Sequence, residues 1–313
     1  MAVLITGGSG FIGAALARAL TEQGKDVVVF DRVINESLFG AAASRIKAVQ
    51  GDIAVFSEVL NVVKDYSVTS IVHLGAMLSM PSDANPWAAY QVNANGTMHI
   101  LEAARLLGVE KVVFSSSNAV YGASRGAIDD DTIRKPGSMY GITKLFGEHL
   151  GLFYNRKFGL DFRGIRFCVI IGLGARTKHM SQYMAWMIEQ SLAGNPFEVW
   201  VTEDTNNPWL YHKDAVRALA GLHDAQADRI KSRVYNMAGT ASNARQFVAK
   251  VNEHIPGARI SFNPDPEAVA LLGKGIESID ETAAKSEWDW RIDYDLDRMI
   301  ADMKADFSAN PTI

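Results

Sequence analysis

A tyrosine and a lysine near the middle of the chain have the spacing of a proton-transfer pair. Tyr140 and Lys144 are four residues apart in a segment with helical periodicity, which places both side chains on one helix face. A free tyrosine has a pKa of about 10, and a neighbouring ammonium favours the phenolate and lowers that pKa towards neutrality. Ser117, which follows a β-branched run, adds a hydroxyl that can bind a substrate hydroxyl or carbonyl oxygen. Tyr-x-x-x-Lys is common by chance, so its meaning depends on the rest of the chain.

A glycine-rich turn at the start of the chain predicts where a dinucleotide binds. Residues 7–13 read GGSGFIG between a strand and a helix, so Gly8, Gly10 and Gly13 have the G-x-G-x-x-G spacing. Glycines let a pyrophosphate approach the backbone and meet the free N–H groups of the helix N-terminus. In this stretch the predicted cofactor contacts are Gly7, Gly10, Phe11, Ile12 and Gly13.

The end of the second predicted strand indicates which dinucleotide is bound. Asp31 comes 18 residues after Gly13, where a carboxylate can accept both ribose hydroxyls and repel a 2′-phosphate. Arg32 follows directly, and a guanidinium can also bind a phosphate. We predict NAD rather than NADP, with Asp31 and Arg32 both near the adenosine ribose.

The ends of the next two strands supply further candidates for the cofactor site. Asp52 can bind the adenine amino group with Ile53 against the ring, or it can cap the helix that follows. Leu74, Gly75 and Ala76 follow the fourth strand and allow the backbone to lie close to a cofactor. His73 has no second ligand spaced near it, so no metal site is predicted.

Apolar strands separated by helical segments predict the scaffold that positions these residues. Strands without a polar face are typical of a parallel sheet covered by helices on both sides. Right-handed crossovers then give an α/β fold with a doubly wound, Rossmann-type sheet. The predicted strands are Ala2–Ile5, Val27–Phe30, Ile46–Val49, Ile71–His73, Lys111–Ser115 and Phe162–Phe167, with helical segments at Trp87–Leu107 and Ser138–Lys157.

The chain changes character after Phe167, where Gly, Asn and Pro become frequent. We predict an NAD-binding domain over residues 1–170 and a smaller C-terminal lobe, mainly substrate-binding, over residues 171–313. One further strand is expected at Val234–Met237, and the segment of about 208–237 is expected to pack back onto the first domain.

Composition excludes several classes of protein. The 313 residues carry a net charge of −4 and no cluster of Lys and Arg, which argues against a nucleic-acid partner. The single cysteine, Cys168, excludes an internal disulfide and a Cys-based zinc site. No apolar run approaches the roughly 20 residues of a membrane span, and no signal peptide is apparent. We expect a soluble, cytoplasmic protein that acts on a small molecule.

Together these motifs resemble the extended short-chain dehydrogenase/reductase family, which includes NAD-dependent epimerases and dehydratases. The resemblance implies bound NAD and the catalytic residues Ser117, Tyr140 and Lys144. It also implies that Ser115 lies in the cofactor shell and that Asn93 holds a water and orients the lysine. The matching stretches are GGSGFIG, FDR, GDI, HLGA, NANGT (93–97), SSSNAVYG (115–122) and YGITK (140–144).

Several stretches are similar to the short-chain L-threonine 3-dehydrogenase branch of that family. They are HLGAMLS (73–79), EDTNNPWLYHKDA (203–215), YNMAGT (235–240) and, most distinctive, residues 277–303. The similarity implies hydride transfer between NAD and a secondary alcohol of a small polar substrate, such as a threonine-like amino acid, a hydroxy acid or a sugar acid. The substrate candidates are Ser79, Ser117, Asn118, Tyr140, Arg176, Ser181 and Trp209, of which Arg176 can equally lie in a solvated loop and Trp209 in a core.

Departures in the second lobe leave the substrate open. Arg166-Phe167-Cys168-Val169 stands where the branch carries Pro-Gly after the arginine, and residues 172–180 replace a Gly- and Thr-rich segment. The alternative enzyme is a nucleotide-sugar epimerase of the UDP-glucose 4-epimerase type with tightly bound NAD, although the arginine usual before the strand around Leu210 is missing. A non-catalytic NAD-binding regulator is the alternative outside enzymes. Such a regulator needs no proton relay, so the presence of the three relay residues, Ser117, Tyr140 and Lys144, argues against it.

The two long helical segments have apolar residues on more than one side, including Leu145, Phe146, Leu150 and Phe153. In the family this helix pair commonly forms a four-helix dimer interface. We therefore expect a homodimer, and the alternative explanation is ordinary burial against the sheet.

Overall fold

Seven parallel strands form the central sheet. The computed structural model describes residues 2–122, 126–175, 181–272 and 275–309. The strands are β1 (Ala2–Thr6), β2 (Asp26–Asp31), β3 (Ile46–Gln50), β4 (Val68–His73), β5 (Lys111–Ser117), β7 (Asp161–Phe167) and β11 (Val234–Met237). They lie in the order β3-β2-β1-β4-β5-β7-β11. This arrangement confirms the doubly wound, Rossmann-type fold.

Helices cover both faces of this sheet. Successive strand residues point to opposite sides, so that Ile5 lies in the core under one helical layer and Leu4 in the core under the other. The first layer holds α1 (Phe11–Glu22) and α8 (His212–Asp224). The second holds α2 (Phe56–Asp65), α5 (Gly96–Leu107) and α6 (Met139–Phe158). Both strand faces are buried, which explains why the strand sequences have no polar face.

The strand expected late in the chain returns to the first sheet. It is β11, which pairs in parallel with β7 from Val234 opposite Gly164 to Met237 opposite Phe167. The segment that precedes it, α8, packs against α1. The division of the chain at residue 170 stays a prediction.

The segment predicted as one helix over Trp87–Leu107 is divided into three parts. A short helix, α4 (Pro86–Ala89), leads into a π-helical turn at Tyr90–Asn95 and then into α5. Asn85 caps α4 through the Ala88 N–H at 3.1 Å. A π turn inserts an extra residue per turn and often occurs at a functional site. Here the π turn contains Asn93, which is buried.

The second lobe has a hydrophobic core of its own. Its helices are α7 (Tyr183–Leu192), α9 (Ala244–His254), α10 (Pro266–Leu272) and α12 (Leu296–Ala309), whereas α3 (Ser79–Ala84) packs against α6 and α11 (Thr282–Trp288) against β11. The shorter strands are β6 (Gly126–Ile128), β8 (Val169–Ile171), β9 (Pro196–Val199), β10 (Asn206–Tyr211), β12 (Thr240–Asn243), β13 (Arg259–Phe262) and β14 (Ile276–Ile279). Three of them form a sheet in the order β12-β10-β8, and parallel pairs are formed by β13 with β9 and by β14 with β6.

A buried carboxylate anchors the tail of the chain to the central sheet. Glu281 accepts hydrogen bonds from the N–H groups of Ala238 at 2.7 Å and Gly239 at 3.1 Å, just beyond β11. It also accepts one from the Trp290 indole at 3.1 Å.

Within the described ranges, no helix is long and apolar enough to cross a membrane.

Helix α6 lies unusually close to the strands beneath it, because two of its inward positions are glycine. A Cβ at Gly147 would lie 2.6 Å from the Phe114 ring, and one at Gly151 would lie 2.2 Å from the Phe162 ring. Both contacts are shorter than real Cβ contacts allow, so larger residues would force the helix outwards. The close approach brings the start of α6 to the carboxyl end of β5.

We predict that Gly151→Ala destabilises the fold, although alanine is the better helix former. Overpacking against Phe162 is expected to lower the free energy of unfolding by about 1–3 kcal/mol. Urea unfolding followed by circular dichroism measures this change. The control is Gly137→Ala, where a Cβ meets nothing within 4 Å and the expected change is within about 0.5 kcal/mol. An equally stable Gly151→Ala variant would show that the helix can move away from the sheet without cost.

Candidate active site

The turn after β1 has the geometry of a pyrophosphate cradle. Gly7 has φ +67°, donates its N–H to the Phe30 carbonyl at 2.9 Å and accepts the Gly10 N–H at 3.0 Å. A Cβ at Gly13 would lie 2.2 Å from the Gly7 carbonyl oxygen, and one at Gly7 would lie 2.8 Å from Gly75. The backbone therefore fills the space that side chains would occupy. The N–H groups at the start of α1, in Phe11, Ile12 and Gly13, are left to bind an anion.

Asp31 lies at the end of β2 and faces this turn. Its Oδ2 accepts the Ser9 N–H at 3.0 Å, so the carboxylate is fixed beside the glycine loop. The side chain is half-buried, whereas Arg32 is exposed. This position suits a carboxylate that accepts ribose hydroxyls from NAD.

The structure places the other cofactor candidates around the same edge. Asp52 accepts the Ala54 N–H at 2.9 Å, so its carboxylate stabilises the turn before α2. Ile53 is buried, and its side chain would contact a Cβ placed at Gly75. The Gly75 N–H donates to the Thr6 hydroxyl at 3.2 Å, while Leu74 and Ala76 on either side of it are half-buried.

His73 is a structural residue that the sequence pattern did not identify. Its ring hydrogen-bonds the hydroxyls of Thr6 at 2.6 Å and Thr97 at 3.1 Å, and so joins β1, β4 and α5. Burial, with the nearby charge of Lys144, lowers the pKa of His73 to about 3, so the ring is neutral at neutral pH. In the described part of the chain, no three His, Cys, Asp or Glu side chains come together as a metal site requires.

The predicted relay residues meet where β5 ends and α6 begins. Ser138 caps α6 by accepting the Gly141 N–H at 3.1 Å, which places Tyr140 and Lys144 in the first two turns. The Lys144 ammonium donates to the Ser115 carbonyl at 2.6 Å and lies 5.5 Å from the centroid of the Tyr140 ring. The structure thus brings together Ser115, Ser117, Tyr140 and Lys144.

Burial acts against the charged forms of both relay residues. It raises the pKa of Tyr140 to about 12, and a hydrogen bond with Ser117 partly opposes this effect. It lowers the pKa of Lys144 to about 7, and the charge of Glu148 partly opposes that effect. In the protein alone, the pKa of Tyr140 is therefore above its ordinary value, and the lowering expected from the lysine is not found.

Asn93 links two segments that lie next to the predicted relay residues. Its side chain accepts the Met77 N–H at 2.7 Å and donates to the Met77 carbonyl at 3.0 Å and to the Thr143 hydroxyl at 3.1 Å. It thereby joins the loop after β4 to α6, next to Lys144 in sequence. In this geometry Asn93 holds the backbone around the lysine.

Two of the substrate candidates, Ser79 and Asn118, lie on segments next to the relay residues. Ser79 begins α3, which is tied to the start of α6 by a 2.7 Å hydrogen bond from the Met139 N–H to Asp83. Asn118 directly follows Ser117, whose hydroxyl accepts the Ala119 N–H at 3.2 Å.

The second lobe contributes less to the candidate site than the pattern predicted. Ser181 is buried before α7, and Arg176 lies outside the described residues. Trp209 is completely buried, and its indole donates to the Ser242 hydroxyl at 3.2 Å. Because Trp209 packs inside the core of the second lobe, we remove it from the substrate contacts.

A buried charge pair beside the relay was also missed from the sequence. Glu148 and Arg166 form a bidentate ion pair with N–O distances of 2.8 and 2.9 Å. Both residues look like ordinary polar positions in sequence, because helical spacing alone does not show that α6 lies so close to the sheet. The one available signal was the four-residue spacing between Lys144 and Glu148.

Comparison with known proteins agrees with this geometry. The sequence profile of the NAD dependent epimerase/dehydratase family matches residues 3–238. The mitochondrial L-threonine 3-dehydrogenase of Bos taurus is 28% identical over 306 residues, which cover 96% of this chain and 81% of the relative.

Two solved structures extend the comparison to three dimensions. A GalE-like L-threonine dehydrogenase from Cupriavidus necator in its holo form superposes with a TM-score of 0.91 at 30% identity, covering 98% of this chain and 100% of that one. A monomeric L-threonine 3-dehydrogenase of metagenomic origin superposes with a TM-score of 0.89 at 25% identity, covering 98% and 99%.

The chain belongs to the NAD-dependent epimerase/dehydratase family. It is an NAD-dependent oxidoreductase of the extended short-chain dehydrogenase/reductase type. The glycine turn and Asp31 fit this cofactor, since the start of α1 has no side-chain cap and leaves N–H groups for a pyrophosphate, and the carboxylate is fixed beside the turn.

We predict that Asp31→Asn weakens NAD binding about tenfold, because it removes a charge-assisted hydrogen bond worth about 1.5 kcal/mol. Discrimination against NADP should fall with it, since the repulsion of the 2′-phosphate is lost. Titration calorimetry with both dinucleotides measures the two effects. The control is Asp65→Asn, an exposed carboxylate at the end of α2. An unchanged preference for NAD in Asp31→Asn would contradict the assignment.

Proposed function

We propose that the protein oxidises the secondary alcohol of a small amino acid or hydroxy acid, with L-threonine as the first substrate to test. The observation that carries the proposal is the meeting of Ser117, Tyr140 and Lys144 at the edge of the sheet that also carries the glycine turn. The similarity to proteins named L-threonine dehydrogenase, at 28–30% identity over most of the chain, supports the substrate class.

Each relay residue has a distinct part in the proposed reaction. NAD, when bound, supplies the hydride acceptor. Tyr140, as phenolate, takes the proton of the substrate hydroxyl, while Ser117 holds the oxygen through its own hydroxyl. Lys144 stabilises the phenolate and binds the nicotinamide ribose. Ser79 and Asn118 lie on segments next to this centre and are the proposed substrate contacts, together with Ser181.

The pKa of Tyr140 predicts how the rate of the proposed reaction depends on pH. Oxidation consumes the phenolate, and burial holds the pKa of Tyr140 near 12 in the protein alone. The phenolate fraction therefore increases as the pH rises towards that pKa, and alcohol oxidation should become faster between pH 7 and about 9. The reverse reduction uses the phenol as acid and should be favoured at the lower end of that range.

Tyr140→Phe should reduce turnover by at least about 100-fold, since general acid–base catalysis contributes about that much or more. NAD affinity should stay nearly unchanged, because the phenol ring is retained. The measurement is NADH absorbance with NAD and a panel of L-threonine, small hydroxy acids, sugar acids and nucleotide sugars. Persistent turnover in Tyr140→Phe would contradict the relay.

The same panel separates the dehydrogenase from the epimerase. Stoichiometric NADH formation with one substrate class supports oxidation. A nucleotide sugar that changes stereochemistry without net NADH formation, together with copurified NAD, would support the epimerase instead.

We propose a homodimer formed through α5 and α6. Ile142, Phe146 and Phe153 are exposed and lie along one face of α6 at spacings of four and seven residues. The neighbouring segment exposes Trp87 and Tyr90, whose rings are stacked with centroids 6.0 Å apart. Exposed apolar stripes of this kind mark interaction surfaces.

We predict that Phe146→Glu combined with Phe153→Glu gives a monomer, since a dimer interface cannot bury unpaired carboxylates. Light scattering after gel filtration measures the mass of the assembly. The control is Ile133→Glu, which charges an exposed apolar residue outside this stripe. A monomeric parent protein, as in the metagenomic relative, would refute the proposed interface.

Two organisational features are also proposals. We place the NAD-binding domain in residues 1–170, with the returning strand added, and the substrate lobe mainly in residues 171–313. We also place the protein in the cytoplasm, which fits an oxidoreductase with a single, buried cysteine.

A further inference from the structure

A buried carboxylate lies one helical turn behind the relay lysine. Glu148 follows Lys144 by four residues on α6, so their Cβ atoms are about 5–6 Å apart. The side chain of Glu148 is 98% buried, and Lys144 is buried to nearly the same extent. Burial of a carboxylate is costly unless its oxygens are bonded, and here Ser116 and Arg166 both donate to it. Glu148 is therefore fixed in position.

The arginine that holds Glu148 is itself held by a polar network. Arg166 Nη1 donates to the Tyr121 hydroxyl at 2.9 Å and to the Asn236 side-chain oxygen at 3.3 Å. Asn236 donates in turn to Asp130 at 3.0 Å. The network joins β7 and β11 to the loop that carries Asp130. It prevents Arg166 from moving towards or away from Glu148.

Among the described residues, the titratable groups near Lys144 come from α6, β4 and β7, and the charge of Glu148 favours the ammonium. Tyr140 and Glu148 face the lysine from its own helix, His73 lies near it from β4, and Arg166 lies behind Glu148 on β7. His73 is neutral at neutral pH, and Tyr140 is protonated there. Glu148 therefore supplies negative charge that favours the ammonium, and Arg166 supplies positive charge that limits this effect.

We propose that Glu148 is a positioning residue that acts through Lys144: its carboxylate, fixed by Ser116 and Arg166, favours the protonated form of the buried amine beside Tyr140. The inference rests on the proposed function in one respect only, namely that the ammonium stabilises the Tyr140 phenolate during the reaction. The Glu148–Arg166 pair therefore adjusts the protonation of Lys144 and also links α6 to β7. A purely structural ion pair would hold the helix without controlling the lysine charge.

The charge of Lys144 can be measured directly without a substrate. In protein labelled with 13Cε-lysine, the Lys144 resonance is assigned by its absence from Lys144→Arg, and its shift is followed from pH 5 to pH 10. In Glu148→Gln the midpoint should fall by about 1 pH unit, because a nearby opposite charge is lost. In Arg166→Met the midpoint should rise by about 1 pH unit, since Glu148 is no longer offset.

Two matched controls separate charge from packing. Glu281→Gln neutralises another buried carboxylate, which accepts two backbone N–H groups and the Trp290 indole at a site beyond β11, and should leave the midpoint unchanged. Arg166→Lys keeps the positive charge without the bidentate geometry, and should stay within about 0.3 pH unit of the parent. Thermal unfolding by circular dichroism establishes that each variant is folded.

Opposite shifts in Glu148→Gln and Arg166→Met support the inference. An unshifted midpoint in folded Glu148→Gln, or shifts of both variants in the same direction, would overturn it. If Glu148→Gln does not fold, the difference between Arg166→Met and Arg166→Lys decides, and equal midpoints in these two variants refute the inference. Failure of the proposed function is a separate result, namely persistent turnover in Tyr140→Phe.

A kinetic consequence completes the test. With NAD and the substrate identified from the panel, Glu148→Gln should lose kcat at alkaline pH at least about fivefold more than at pH 6, since Lys144 deprotonates earlier. A uniform loss at all pH values would indicate a structural role for Glu148 and contradict the inference.

Discussion

The close approach of α6 to the central sheet is the constraint on which the candidate site depends. Glycines at 147 and 151 let the helix contact the Phe114 and Phe162 rings, which puts Lys144 within 2.6 Å of the Ser115 carbonyl. The same approach excludes water from the lysine and lowers its pKa to about 7. Position and acidity of the relay lysine thus have a single origin. A helix placed further out would carry a solvated lysine with an ordinary pKa and no fixed partner.

The parallel sheet explains why residues far apart in sequence meet at one edge. The carboxyl ends of β1, β2, β4, β5 and β7 all point the same way, so the glycine turn, Asp31, His73 and Ser117 lie along that edge. Tyr140 and Lys144 do not come from a strand end. They are added by α6, which belongs to the helical layer that covers this face of the sheet. The glycine turn and Tyr140 therefore belong to different elements of one scaffold, which holds the proposed cofactor and proton-transfer sites at the same edge of the sheet.

Much of this arrangement could be predicted from the sequence, because strand and helix periodicity carry strong signals. The predicted strands and the spacing of Tyr140 and Lys144 depend on local patterns, which the structure reproduces. The π turn at Tyr90–Asn95 could not be predicted, since a helix with one inserted residue has nearly the same composition as a regular one. The buried state of Glu148 and the core position of Trp209 depend on tertiary packing. No local pattern distinguishes a buried glutamate that is paired from one that is solvated.

Burying both relay residues has an energetic consequence for the cofactor-free protein. The phenolate of Tyr140 and the ammonium of Lys144 are each disfavoured by desolvation, so the pair on its own is far from its reactive charge state. Charges that favour the reactive state must come from outside the pair, and on the lysine side the charge of Glu148 raises the pKa of Lys144. On the tyrosine side, the hydrogen bond from Ser117 acts in the same sense. In the protein alone, Tyr140 therefore stays protonated at neutral pH, and any lowering of its pKa has to come from groups that are added to the site.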